Sequence, residues 1–335
     1  ISNSMLSRHF LRSKVLQTLY SYSVSGNNNL GVVEKNFQTV VDSFNRLEIN
    51  QINALVHLMD FAAASIEEAR RKYLPTEADL NPSMRFVENR FINQIKNNID
   101  CQKWCIDLKI NLSTEDNVFH SLYSTLRESD KYKDYISAEN VDYEADKRFA
   151  LDVFKLIVNN EALIDYFNEA AIYWESDFIQ NAQFTYALLK NIDESWQKDD
   201  KLPLVYDKTV QKEADDVDFA RKLLTSTILS WEEFVPTITA NLNHWDFDRV
   251  PVIDIILIKM AMSEFINFPS IPEPVTIDEY IELSKEFSTD RSKLFINGIL
   301  DRISIELRSK GKIQKSGRGL YVPQSGVAQN TENED

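Results

Sequence analysis

The chain has 335 residues, with 37 Lys or Arg against 52 Asp or Glu for a net charge of −15, and is 43% hydrophobic and 11% aromatic. That is enough apolar material for one large or two ordinary domains, and the negative balance argues against indiscriminate nucleic-acid binding, because a phosphate backbone would be repelled. Only seven glycines occur, none between residues 32 and 297; this excludes a phosphate-cradling loop, a dinucleotide-binding turn and the usual methyltransferase cofactor site, each of which needs close backbone approach.

Ile1 is not an ordinary initiator, Met5 is the expected start, and the first residues carry no signal-peptide pattern. No run of about 18 apolar residues is present, so a cytoplasmic protein without a membrane span is expected. The first predicted helix runs over 7–25. Leu11, Val15, Leu19 and Tyr22 draw one apolar stripe, Arg8, Arg12 and Lys14 lie largely off it, and Gly26 with the following asparagines ends it. Helices are then expected near 32–46, 48–74, 84–111, 116–128, 145–173 and 177–196, with breaks at Pro75, Pro82 and 131–143. No proline falls between Pro82 and Pro203. A polar, acidic stretch over 197–213 reads as a linker.

The last third is more regular. A helix is predicted over 217–229, followed by one capped by Ser230 with Glu233 at capping-box spacing and kinked or shortened by Pro236. Residues 249–268 are apolar almost all round and form the expected buried central helix. Pro269, Pro272 and Pro274 make a stiff loop. Thr276 and Glu279 have capping-box spacing and are expected to open a helix ending near Phe287. The final helix spans about 290–310, and 311–335 is expected to be a flexible tail with an acidic end.

Net positive charge is confined to the two ends. Residues 1–30 hold Arg8, Arg12 and Lys14 with no acid; residues 285–321 hold nine Lys or Arg against four acids; residues 31–284 carry −20. If the fold joins the two ends they make one basic face, as a nucleic-acid binder requires; otherwise they are ordinary solvated helix faces. On the last helix, Ile296, Ile299, Leu300, Ile303 and Leu307 should face the core. Phe295 stands at the edge of that stripe with Arg291, Gly298 and Arg302 on its side, an arrangement suited to stacking a base. The alternative is that Phe295 is one more core residue.

Other sites are weaker. Cys101 and Cys105 share a helix face but lack further zinc ligands nearby. His244, Asp246 and Asp248 are better read as polar residues before a helix, with an aspartate capping it ahead of Pro251. His9, His57 and His120 accompany no nucleophile. Asp215 and Asp216 read as solvated charge rather than an acid–base pair. The five tryptophans, Trp104, Trp174, Trp196, Trp231 and Trp245, read as core or interface anchors. No metal, cofactor or catalytic residue is expected.

Four segments together resemble the NusB family: Arg12–Tyr20 its first helix, Asp254–Phe265 its central helix, Val275–Phe287 its penultimate helix, and Lys293–Asp301, with an aromatic and an Asn-Gly pair before Leu-Asp, its closing motif. The resemblance implies an all-α fold of two small helical bundles, here a discontinuous RNA-binding domain over 5–30 and 214–310 interrupted by a helical insertion at 31–196. It implies binding of boxA-type RNA together with the ribosomal protein NusE, within the antitermination complex of RNA polymerase. Arg8, Arg12 and Lys14 then belong to the basic N-terminal segment that contacts RNA. Phe295, flanked by Arg291 and Arg302, matches the RNA-side aromatic, and Glu264 is a candidate for the partner-protein surface. The first helix is poorer in arginine than is usual for the family, with His9 and Phe10 in place of further positive charge. Two rivals stand beside this reading: the helical domain of an RNA-modifying enzyme, which the missing glycines oppose, and a protein–protein adaptor with a weakened RNA site.

Overall fold

The computed structural model describes residues 7–26, 29–74, 76–170, 177–242 and 247–320. Among them there is no strand, and the fold is all-α. In order the helices are α1 (Arg8–Ser25), α2 (Leu30–Arg70), α3 (Glu77–Leu80), α4 (Arg90–Asn97), α5 (Ile99–Asp107), α6 (Asp116–Glu128), α7 (Asp130–Ser137) and α8 (Tyr143–Val158). They continue with α9 (Glu161–Ala170), α10 (Phe178–Asn191), α11 (Gln211–Leu229), α12 (Phe234–Ala240), α13 (Val252–Asn267), α14 (Glu273–Phe287) and α15 (Ser292–Ser309). Two compact units result, one from the described residues of 1–39 and 208–335, the other from those of 40–207. Trp174, His244, Trp245 and Asp246 lie outside the described residues.

The first unit is organised around α13. Its residues 254–265 are all buried, as a helix apolar on every side requires, and α1, α11, α12, α14 and α15 pack on it. The α1 stripe of Leu11, Val15 and Leu19 is fully buried. Ser7 caps this helix by accepting from the Phe10 backbone N–H at 3.2 Å, and Gly26 ends it at φ +64°, a left-handed conformation natural to glycine. Both capping boxes predicted in this part are absent. Ser230 closes α11 instead, and Pro236 sits in the first turn of α12, where a missing N–H breaks no helical bond. The helix α14 starts at Glu273, after Pro272 and with Pro274 in its first turn, so Thr276 lies inside it. The start of α13 follows Pro251 without a side-chain cap, so Asp248 does not cap it.

One buried acid sets the beginning of the last helix. Asp254, 2% exposed, accepts from Ser288 Oγ at 2.6 Å and Ser292 Oγ at 2.8 Å. The turn between α14 and α15 is thereby tied to α13.

In the second unit, one continuous helix replaces the two expected over 32–74. The helix expected over 84–111 is divided at Asn98, whose side chain accepts from the Cys101 backbone N–H at 2.8 Å and so opens α5. The predicted break at 131–143 contains α7, capped by Ser129 and anchored by buried Tyr132 and Tyr135. Tyr135 stacks on Phe149 with ring centres 3.9 Å apart and donates to Asp146 Oδ1 at 2.6 Å. Asn160 divides α8 from α9 by accepting from the Leu163 N–H at 3.0 Å. Cys101 and Cys105 are free thiols. The stretch expected as a linker is fastened down: Leu202, Val205 and Tyr206 are buried, and their N–H groups donate to Asp100, Glu48 and Asn45 at 3.0, 2.8 and 3.0 Å. Its last residues, from Gln211, already belong to α11.

Candidate nucleic-acid interface

Arg12 is 2% exposed and Glu264 is 0% exposed. They form a bidentate pair, with Nε donating to Oε2 and Nη2 to Oε1, each at 2.8 Å. Glu264 accepts two further bonds, from Thr276 Oγ1 at 3.0 Å and the Tyr280 hydroxyl at 3.2 Å. All this joins α1, α13 and α14 through one carboxylate. Burial works against the Arg12 charge, but Glu264 more than offsets it and the guanidinium is held protonated. Burial, with Glu264 adding to it, pushes the Tyr280 hydroxyl far above its usual range. The expected roles of Arg12 in RNA contact and of Glu264 at a partner surface are therefore corrected: both groups are buried and engaged with each other.

Lys14 needs the same correction. It is 1% exposed, its Nζ donates to Gln17 Oε1 at 3.1 Å, and it lies 4.9 Å from the Phe10 ring centre. His9 continues the network outward, with Nδ1 2.9 Å from Glu279 Oε2 and Nε2 2.9 Å from Glu286 Oε1. A carboxylate at each ring nitrogen favours the imidazolium. The Glu279 hydrogen bond leads in raising the His9 pKa to about 9, and the His9 bond leads in lowering that of Glu279. Glu279 also reaches Arg12 Nη1 at 3.2 Å. So the second predicted capping box marks buried chemistry: Thr276 serves Glu264, and Glu279 serves His9 and Arg12.

Arg8 is the member of the N-terminal trio that reaches the surface. Its side chain is 44% exposed, its Nε donates to Asp216 Oδ1 at 2.7 Å, and its guanidinium lies 4.8 Å from the Phe219 ring centre.

On α15, Ile296, Ile299, Leu300, Ile303 and Leu307 are buried as the spacing predicts. Phe295 is half-buried, while Arg291 and Arg302 are exposed. Arg302 lies across the backbone at Gly298, its Nη1 3.7 Å from where a Cβ would stand, and its Nη2 donates to the Asn241 carbonyl at 2.9 Å. This helix face is thus aromatic and cationic with a low point at Gly298. The first and last helices have different main partners: α1 packs on α11, α13 and α14, whereas α15 packs on α13 and α14. The two basic ends are therefore not joined by a main contact between α1 and α15.

The segment after α15 makes the connection instead. Expected to be flexible from Gly311, it is ordered as far as Leu320; residues 321–335 lie outside the described residues. Gly311 reverses the chain at φ +67°, Ile313 is buried, and Lys315 Nζ donates to the Phe268 carbonyl at 3.1 Å. The Ser316 N–H donates to the Pro269 carbonyl at 3.0 Å. Gly319 is pressed so closely against Pro269 that a Cβ would stand 1.9 Å from the carbonyl oxygen. Arg318 thereby lines the same groove as Arg8 and the edge of Arg12. Composition alone could not show this docking; the signal was the pair of glycines around Arg318.

Among the described residues, the first unit is an all-α bundle with a buried ion pair and an aromatic–arginine face on α15. The sequence profile of the NusB family matches residues 177–304. The transcription antitermination protein NusB of Salinibacter ruber is 39% identical over 103 residues, covering 31% of this chain and 64% of that protein. That of Chloroherpeton thalassium is 39% identical over 103 residues, 31% of this chain and 49% of its own length. That of Geobacter sulfurreducens is 37% identical over 110 residues, covering 33% and 80%. The chain belongs to the NusB family. It spans about half to two-thirds of the length of the first two relatives, and no solved structure matches it. The family match leaves out α1, which nonetheless packs in the same unit as α11 to α15.

Proposed function

We propose that this chain is a cytoplasmic transcription antitermination factor that binds boxA-type RNA with the ribosomal protein NusE and helps RNA polymerase read through terminators, with no reaction of its own. The observation that carries this reading is the exposed side of α15, where Phe295 stands between Arg291 and Arg302 in a unit of a NusB-family protein. A ring at that position stacks a base, and the arginines hold the phosphates on either side. The contact residues on this reading are Arg8, Arg291, Phe295 and Arg302, with Arg12, Lys14 and Glu264 holding the helices that present them. Among the described residues no helix is long and apolar enough to cross a membrane. The test is fluorescence anisotropy of a labelled boxA-type RNA with the full chain, with and without NusE. The expected result is saturable binding that tightens with NusE and weakens with salt.

A second reading has its own observation. Leu294 and Ile305 stand 74% and 64% exposed on α15, which suits a protein-docking adaptor. NusE association unaffected by RNA, with no RNA binding by either species, would favour the adaptor.

A further inference from the structure

We infer that the ordered segment after the last helix is an RNA clamp: Arg318, held across a groove from Arg8, grips a phosphate of the bound single strand beyond the α15 face. This inference rests on the RNA-binding reading above.

The groove has a volume of about 850 Å³ and is lined by Ile271, Pro272 and Val275 together with Arg8, Arg318 and Glu279. Arg318 is exposed and makes no ion pair with any described residue. Arg8 uses Nε on Asp216. The acid that lines the groove, Glu279, is already engaged by His9 and Arg12. Arg318 is therefore the lining cation left to an incoming anion, beside apolar side chains, which complements a nucleotide: phosphate at the guanidinium, base or sugar on the proline and aliphatic surface.

The segment is built rather than draped. It is tied by Ser316 to the Pro269 carbonyl, by Lys315 to the Phe268 carbonyl and by the close seat of Gly319. Gly317, at φ +55°, makes the bend that turns Arg318 toward the groove. Arg318 is thereby placed before any ligand arrives, which lowers the ordering cost of binding. The eighteen residues of α15 span roughly 27 Å, so the groove, beyond its C-terminal end, and Phe295, near its start, are separate contact points for one extended strand.

The experiment is anisotropy with a labelled 12-nucleotide single-stranded boxA-type RNA and the full chain, titrated across salt. Arg318→Ala removes the charge and touches no other partner. It should weaken binding about fourfold near 0.15 M salt and flatten the salt dependence by about 0.7 in log–log slope, the share of one phosphate on a single strand. Arg318→Lys should recover most of the loss. Gly319→Val, which cannot seat against Pro269, should match Arg318→Ala. The clamp is overturned if Arg318→Ala and Gly319→Val bind with wild-type affinity and slope while Phe295→Ala still weakens binding; RNA binding then stands without it. If the wild-type chain binds no RNA, both readings fall. If an unlabelled polyglutamate peptide binds the groove as tightly as the RNA, as judged by competition lost in Arg318→Ala, the site takes acidic peptides and the clamp is again overturned.

Discussion

The cations of the first helix and those of the last follow opposite rules. On α1, Arg12 and Lys14 are drawn inside, Arg12 against Glu264 with every oxygen of that carboxylate engaged. On α15, Arg291 and Arg302 stay at the surface beside a half-buried Phe295. Two stretches with the same sign of charge therefore do different work. The first fastens α1 to α13 and α14; the second keeps its guanidinium groups at the surface.

The largest effect should come from the buried pair. Arg12→Ala or Glu264→Gln leaves an uncompensated buried group, and the first unit should lose about 3–5 kcal/mol of stability in urea unfolding. Intact stability in both variants would show that the pair is not what joins the helices. Asp254→Ala should cost about 1–3 kcal/mol, because the buried Ser292 hydroxyl and the half-buried Ser288 hydroxyl lose their acceptor. It should also weaken RNA binding, since the start of α15 and hence Phe295 is placed by those bonds; a stability loss with unchanged affinity would separate the two. Gly26→Ala meets no neighbour within 4 Å, so its cost is the left-handed backbone alone, about 1 kcal/mol.

The smallest effect concerns pH. The His9 pKa is raised from 6.5 to about 9 in the folded state, so its contribution is fully present below pH 6.5 and is lost as pH rises through 9. The pair is partly exposed and screened, so the fall in Tm over that window should be no more than about 2–4 °C. His9→Gln should remove that slope, and a wild-type Tm that is flat from pH 6.5 to 9 would deny the imidazolium its role.

Much of the first unit was legible from the sequence. The all-round apolar pattern of 254–265 identified the central helix, Gly26 marked the end of α1, and the stripe from Ile296 to Leu307 oriented α15 well enough to leave Phe295 at its edge. The buried network was hidden because its members look like surface residues one at a time. Thr276 and Glu279 have the spacing of a helix cap, and only the approach of α1 and α13 turns them inward. Glu264 carries no local sign of burial beyond its apolar neighbours. Helix ends in the second unit were misplaced where side chains such as Asn98 and Asn160 cap in mid-sequence without glycine or proline. The docking of 311–320 depends on a backbone approach at Pro269, which composition does not record.

The most direct test sets Arg12→Lys beside Phe295→Ala, measuring thermal melting and boxA-type RNA affinity for each. A lysine keeps the charge but loses the bidentate geometry. The expected result is a lowered melting temperature with near-wild-type affinity for Arg12→Lys, and an unchanged melting temperature with affinity reduced by about 1–3 kcal/mol, the worth of one stacked base, for Phe295→Ala. The reverse pattern, with RNA binding lost on changing Arg12 and kept on changing Phe295, would contradict the assignment of support to the first helix and recognition to the last.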